Sequence, residues 1–153
     1  MRRLAARSRD TGVSDMNQSQ RILIVSETLD DSFRRVLEKN RFEVSWEDDT
    51  ERAYSQLATS ACELLIIDLA DADSAVELLR RARATPKASR TLVLTLAEWG
   101  TGQPTVTLSQ GADAFERKPI DAASLLVAVE KLVRPRMVMT AKAGTTNREL
   151  ADE

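Results

Sequence analysis

The chain has 153 residues and a net charge of −2, with 42% hydrophobic and 30% charged residues. This is the make-up of one globular domain with tails, and nothing in the global charge argues for nucleic acid or a membrane surface as a partner. There is no histidine and one cysteine, Cys62, which excludes His-based catalysis, His metal ligation and an internal disulfide, and fits a reducing, cytoplasmic compartment.

No apolar run approaches the roughly 20 residues that span a bilayer. Met1 to Arg9 is rich in arginine but lacks the apolar core of a signal peptide. Residues 1–20 are therefore expected to form a disordered arm, and Met16, just ahead of the first strand, is a candidate translation start. Arg21-Ile22-Leu23-Ile24-Val25 reads as strand one, ended by Ser26-Glu27-Thr28. Phe33, Val36 and Leu37 then fall at helical spacing, with Asp30 or Asp31 as the cap and Asn40 as the close. Phe42 to Trp46 alternates as a second or edge strand, and Thr50-Glu51 opens a helix carrying Ala53, Tyr54, Leu57 and Ala58 on one face.

Leu64-Leu65-Ile66-Ile67 is a continuous apolar run that stops on Asp68, the pattern of a strand buried on both faces. Ligands of parallel sheets sit beyond the carboxyl ends of the strands, where Asp68 falls; the plainer role for it is a turn or cap residue. A third helix spans Ser74 to Ala84 and ends before Thr85-Pro86. Its run Arg80-Arg81-Ala82-Arg83 reads as a solvated face more readily than as a seat for an acidic partner. Thr91 to Leu96 is strand four. The segment from Glu98 to Pro104 carries two glycines and a proline, so a helix here is short and begins near Pro104 or Thr105. Gly111 to Arg117 turns into a fifth strand, Lys118-Pro119 follows, and Leu125, Leu126, Val129, Leu132 and Val133 form the stripe of a last helix opened by Asp121 and stopped by Pro135. Residues 135–153 are expected to be a mostly disordered tail with a short apolar patch at Met137-Val138-Met139.

Strands alternating with helices predict an α/β domain over residues 21–134, a doubly wound, five-stranded parallel sheet with helices on both faces. Asp68, Thr95 and Lys118 then stand at the carboxyl ends of strands three, four and five. A carboxylate nucleophile, a hydroxyl donor and a lysine are the groups that forming and holding an acyl phosphate requires. In this order, with Ile22 to Val25, Leu65 to Asp68, Gly111-Ala112-Asp113-Ala114-Phe115 and Lys118-Pro119, the chain resembles the receiver domain of two-component response regulators over about residues 21 to 133.

The resemblance implies a flavodoxin-like sheet of strand order 2-1-3-4-5, and further that Asp68 is the phosphoacceptor, that Lys118 and Thr95 stabilise the phosphoryl group, and that the Lys118-Pro119 bond is cis. Thr95 and Phe115 would form the switch, although Phe115 also suits a plain core role. It further implies a sensor histidine kinase or phosphotransfer protein as donor, a downstream protein partner, pairing of two copies as an option, and a signalling role rather than an enzymatic one.

Departures accompany the matches. Receivers carry two adjacent acids after strand one to hold Mg²⁺, and here these positions read Ser26-Glu27, leaving Glu27 and Asp68 as the only metal candidates, in a weakened or absent site. Asp71 or Asp73 could supply a replacement carboxylate, or be solvated loop acids. Ala72 stands where a proline is usual, and bulky Leu96 where a small residue admits the phosphoryl donor. A pseudo-receiver, an interaction module without phosphoryl chemistry, is the alternative. A flavin- or nucleotide-binding role lacks a Gly-rich phosphate loop, so no cofactor-binding residues are expected. Trp99 reads as an exposed loop contact or a lid over the pocket.

Overall fold

The apolar runs become the inner strands of one parallel sheet. In the computed structural model, which describes residues 20–134 apart from 29, 99 and 101, β1 (Gln20–Ser26) lies between β2 (Phe42–Glu47) and β3 (Leu64–Asp68). Beyond β3 come β4 (Leu92–Glu98) and the edge strand β5 (Ala114–Lys118), giving the expected order 2-1-3-4-5. The helices are α1 (Asp31–Lys39), α2 (Thr50–Thr59), α3 (Ala72–Ala84), α4 (Gln103–Ser109) and α5 (Ala122–Val133).

Side-chain alternation divides the core in two. Leu23, Val25, Leu65, Ile67 and Val93 face Ala53 and Leu57 of α2 and Ala75, Leu78, Leu79 and Ala82 of α3. Ile22, Ile24, Leu64, Ile66, Leu94 and Leu96 face Leu37 of α1 and Leu125, Ala128 and Val129 of α5. The period of two in a strand makes this split, and a strand used on both faces must be apolar throughout. Leu64 to Ile67 are accordingly all 0% exposed, each contributing about 1.5–3 kcal/mol by burial. Four helices begin on an aspartate whose carboxylate accepts a backbone N–H: Asp30 from Ser32, Asp49 from Glu51, Asp71 from Ser74 and Asp121 from Ser124. Helix α4 instead starts after Gly102, at φ 79°, with Pro104 in its first turn.

The boundaries differ from expectation in three places. Gln20 belongs to the sheet rather than to the arm, since it pairs with Phe42. Helix α3 begins at Ala72 rather than Ser74 because Asp71 caps it. Strand β4 runs from Leu92 to Glu98, and Thr91 lies just outside, its hydroxyl donating to the Cys62 carbonyl at 2.9 Å. The two tails, Trp99 and the Met137-Val138-Met139 patch lie outside the described residues. Among the described residues no helix is long and apolar enough to cross a membrane.

The arginine run is not one solvated face. Arg80 pairs only with exposed Glu77, but Arg81 pairs with Glu51 at 2.8 Å and lies 3.9 Å from the Tyr54 ring centroid. Arg83 donates to the carbonyls of Ser89, Thr91 and Gly111 and to Asp113 Oδ2 at 3.0 Å, and the same Asp113 oxygen accepts the Val93 N–H. This one guanidinium ties the end of α3 to the segments that enter β4 and β5. Arg83→Ala is expected to lower stability by about 1–3 kcal/mol, since it strips donors from several partners at once, and Arg80→Ala by about 0.5 kcal/mol or less; urea unfolding checks both.

The caps predict an acid dependence. The Ser32 and Ser74 hydroxyls hold the Asp30 and Asp71 carboxyls below their ordinary value, and the Ser124 N–H does the same for Asp121. A carboxyl whose folded pKa is lowered gives its full stabilisation above the unfolded value of about 3.9 and loses it as pH falls through the folded value. Replacing all three with asparagine, which keeps the acceptor without the titration, is expected to flatten the loss of stability below about pH 4, with little change at neutrality. Urea midpoints across that range supply the measurement.

Candidate functional site

The site is built by strand ends. Ser26 ends β1 and is paired in register with Asp68, the end of β3. One strand over, Thr95 of β4 pairs with Ile67 on one side and Phe115 of β5 on the other. Lys118 ends β5. The parallel sheet thus brings to one edge residues separated by as many as 92 positions in the chain (118 minus 26).

Asp68 is the centre. Its side chain is only 10% exposed, and each carboxylate oxygen has a partner: Lys118 Nζ at 2.7 Å from Oδ1, and Ser26 Oγ donating to Oδ2 at 3.0 Å. The first contact is short and charge-assisted, the stronger kind. The Lys118-Pro119 bond is cis, as the resemblance implies. Thr95 is fully buried, and among the described residues its Oγ1 has no hydrogen-bond partner. An unsatisfied buried hydroxyl costs about 1–3 kcal/mol, so Thr95 carries a donor that an entering anion would satisfy. Phe115 is half-buried and, by register, shares the face of Thr95.

Leu96, expected to crowd the entry, is instead 1% exposed within the core beneath α1 and α5. Asp71 is occupied as the cap of α3 and is no free loop acid, while Asp73 lies exposed in the first turn of that helix. Glu27 is exposed. Cys62 lies at the other end of the sheet, before β3, where burial pushes its thiol up to about 11. The cavity beside it, lined by Arg21, Glu43, Gln56 and Cys62, opens at the amino-terminal strand ends and shares no residue with the site.

Three contacts at the site carried no mark in the sequence. The Trp46 indole N–H donates to the Ser26 carbonyl at 2.8 Å, the Thr28 N–H donates to Ser26 Oγ at 3.2 Å, and Gln103 Nε2, buried at the start of α4, donates to the Leu69 carbonyl at 3.1 Å. The alternation of β2 places Trp46 on a face but says nothing of its bond, and a glutamine before a proline reads only as a helix start.

Magnesium requires near-octahedral oxygen donors, usually with carboxylates among them. Here a hydroxyl replaces the first acid, both Asp68 oxygens accept hydrogen bonds from the protein, and among the described residues no three acidic, cysteine or histidine side chains converge. The donor set does not fit a magnesium site.

No family model matches the sequence, and no curated relative matches it. Solved structures do. A CheY-like receiver domain protein from Methanospirillum hungatei is 21% identical with a TM-score of 0.70, over 80% of this chain and 99% of that one. A response regulator from Burkholderia pseudomallei, bearing a phosphorylated aspartic acid and a calcium ion, is 18% identical with a TM-score of 0.64, over 85% of this chain and 76% of that one. The receiver domain of a sensor histidine kinase from Pseudomonas aeruginosa, with a magnesium ion in its active site cleft, is 18% identical with a TM-score of 0.60, over 75% of this chain and 98% of that one. The chain carries the fold of the CheY-like response regulator receiver domain.

Proposed function

We propose that this chain is a receiver module of phosphorelay signalling, which takes a phosphoryl group on Asp68 from a sensor histidine kinase or phosphotransfer protein and signals through protein contacts. The observation that carries this reading is the Asp68–Lys118 ion pair at 2.7 Å, with Thr95, whose hydroxyl has no partner among the described residues, on the strand between them. A carboxylate oxygen attacks phosphorus, the bond from phosphorus to the donor breaks, and the donor keeps the electron pair. The Lys118 ammonium offsets charge on the phosphoryl oxygens and the Thr95 hydroxyl donates to one of them. Satisfying Thr95 then biases two arrangements of β4 and Phe115. The phosphorylated aspartic acid of the Burkholderia pseudomallei structure supports this use of the fold. The module acts as a switch rather than as an enzyme. Exposed Val106 and Leu108 of α4 and Val127 of α5 offer apolar surface to a downstream protein or a second copy.

A second reading, the phosphorylation-independent interaction module, is favoured by one contact: Ser26 already holds the Asp68 oxygen that Lys118 leaves free.

Intact-mass analysis after incubation with acetyl phosphate separates the two. The expected result is a single phosphate adduct, absent in Asp68→Asn. A folded protein that never gains the adduct, from acetyl phosphate or from phosphorylated kinase, would move the assignment to the interaction module.

The pair itself makes a further prediction. Lys118→Met leaves a largely buried carboxylate with a neutral donor only, at an expected cost of about 1–3 kcal/mol; that cost should largely vanish when Asp68→Asn is also present. A double-mutant cycle in urea measures the coupling.

A further inference from the structure

Ser26 is built in rather than left over. It is 2% exposed, and both its hydroxyl and its carbonyl are engaged: Oγ accepts the Thr28 N–H at 3.2 Å and donates to Asp68 Oδ2 at 3.0 Å, while the backbone carbonyl accepts the Trp46 indole N–H at 2.8 Å. With the Thr28 amide pointing at the oxygen, the hydroxyl proton is directed to the carboxylate. The charges also close. Asp68 and Lys118 balance each other, and Ser26 adds none. An aspartate in its place would set a second anion against Asp68, an arrangement that a divalent cation resolves and that a hydroxyl makes unnecessary.

We infer that Ser26 takes the place of the divalent cation: its hydroxyl and the Lys118 ammonium hold Asp68 without Mg²⁺, and chemistry at Asp68 is independent of that ion. The last clause rests on the phosphoacceptor reading; the metal independence of the site does not.

The test uses Trp46, whose indole is bonded to the backbone of Ser26, as the reporter. In full-length chain carrying Trp99→Phe, which leaves Trp46 as the one tryptophan, emission is followed while MgCl₂ is titrated at constant ionic strength, with calorimetry alongside. The Ser26 protein is expected to show no saturable response. Ser26→Asp is expected to gain one, at least about tenfold tighter than anything seen with serine.

Saturation of the Ser26 protein with an affinity matching that of Ser26→Asp would overturn the inference. So would silence in both proteins, because Ser26 would then not be what decides. If Ser26→Asp does not fold by circular dichroism, saturable Mg²⁺ binding by the Ser26 protein in calorimetry overturns the inference and its absence upholds it.

In the adduct assay, EDTA is expected to leave the Ser26 protein's yield unchanged, and a collapse of that yield in EDTA would overturn the inference. Ser26→Ala, which removes the donor without adding charge, is expected to lower the yield in EDTA. Absence of adduct under every condition would sink the phosphoacceptor reading alone, leaving the Mg²⁺ titration to judge Ser26.

Discussion

A carboxylate only 10% exposed must be answered within the protein, and the Asp68–Lys118 pair is that answer. The constraint reaches across the sheet. Lys118 stands on β5 and Asp68 on β3, so the pair bridges over β4. Strand register makes the bridge feasible: Leu96 pairs with Glu116, and Lys118 lies two residues further on the same pleat. The long lysine arm then reaches back over the strand end.

The two faces of the sheet support this edge differently. Between the sheet and α1 with α5, the core is apolar and extends from Ile22 to Val129. On the opposite face α4 is short; Thr107 Oγ1 donates within it to the Gln103 carbonyl at 2.9 Å, and Gln103 Nε2 ties it to the Leu69 carbonyl. Leu69 directly follows Asp68. The segment after Asp68 is therefore joined to the start of α4 by a buried hydrogen bond, worth only about 1 kcal/mol net. A bond of that size joins two elements while leaving them separable.

Much of this was legible in the sequence, for a physical reason. A strand buried on both faces must be an unbroken apolar run, so Ile22 to Val25 and Leu64 to Ile67 announce themselves; alternation with helices makes the sheet parallel, and the order of its strands came with the resemblance. Asp68 was visible because an apolar run stops on it, whereas Thr95, three residues short of the end of β4, and Lys118, before Pro119, were picked out by the resemblance. Side-chain hydrogen bonds across the sheet leave no periodic trace. Arg83 looked like one charge in a solvated run, yet three backbone carbonyls and Asp113 claim it. Asp71 looked like a loop acid because its capping role depends on a helix start that Asp73 and Ser74 obscure. Ser26 showed as a missing charge; that its hydroxyl proton is aimed at Asp68 depends on the Thr28 amide, which only the folded turn supplies.

The relative sizes of the two contacts on Asp68 govern how the site behaves. Ser26 contributes a hydrogen bond to a charged group, of about 1.5–3 kcal/mol before exposure is considered, without electrostatic range. Lys118 contributes a full charge at 2.7 Å in a mostly buried setting, where attraction falls off slowly with distance. If Asp68 takes a phosphoryl group as proposed, the ammonium follows the charge onto the new oxygens, whereas the hydroxyl exerts no pull beyond its hydrogen bond. Under that proposal Lys118 is the group whose displacement would report the state of Asp68. It ends β5, the strand that carries Phe115, so that displacement acts on the same edge that Thr95 touches from the other side.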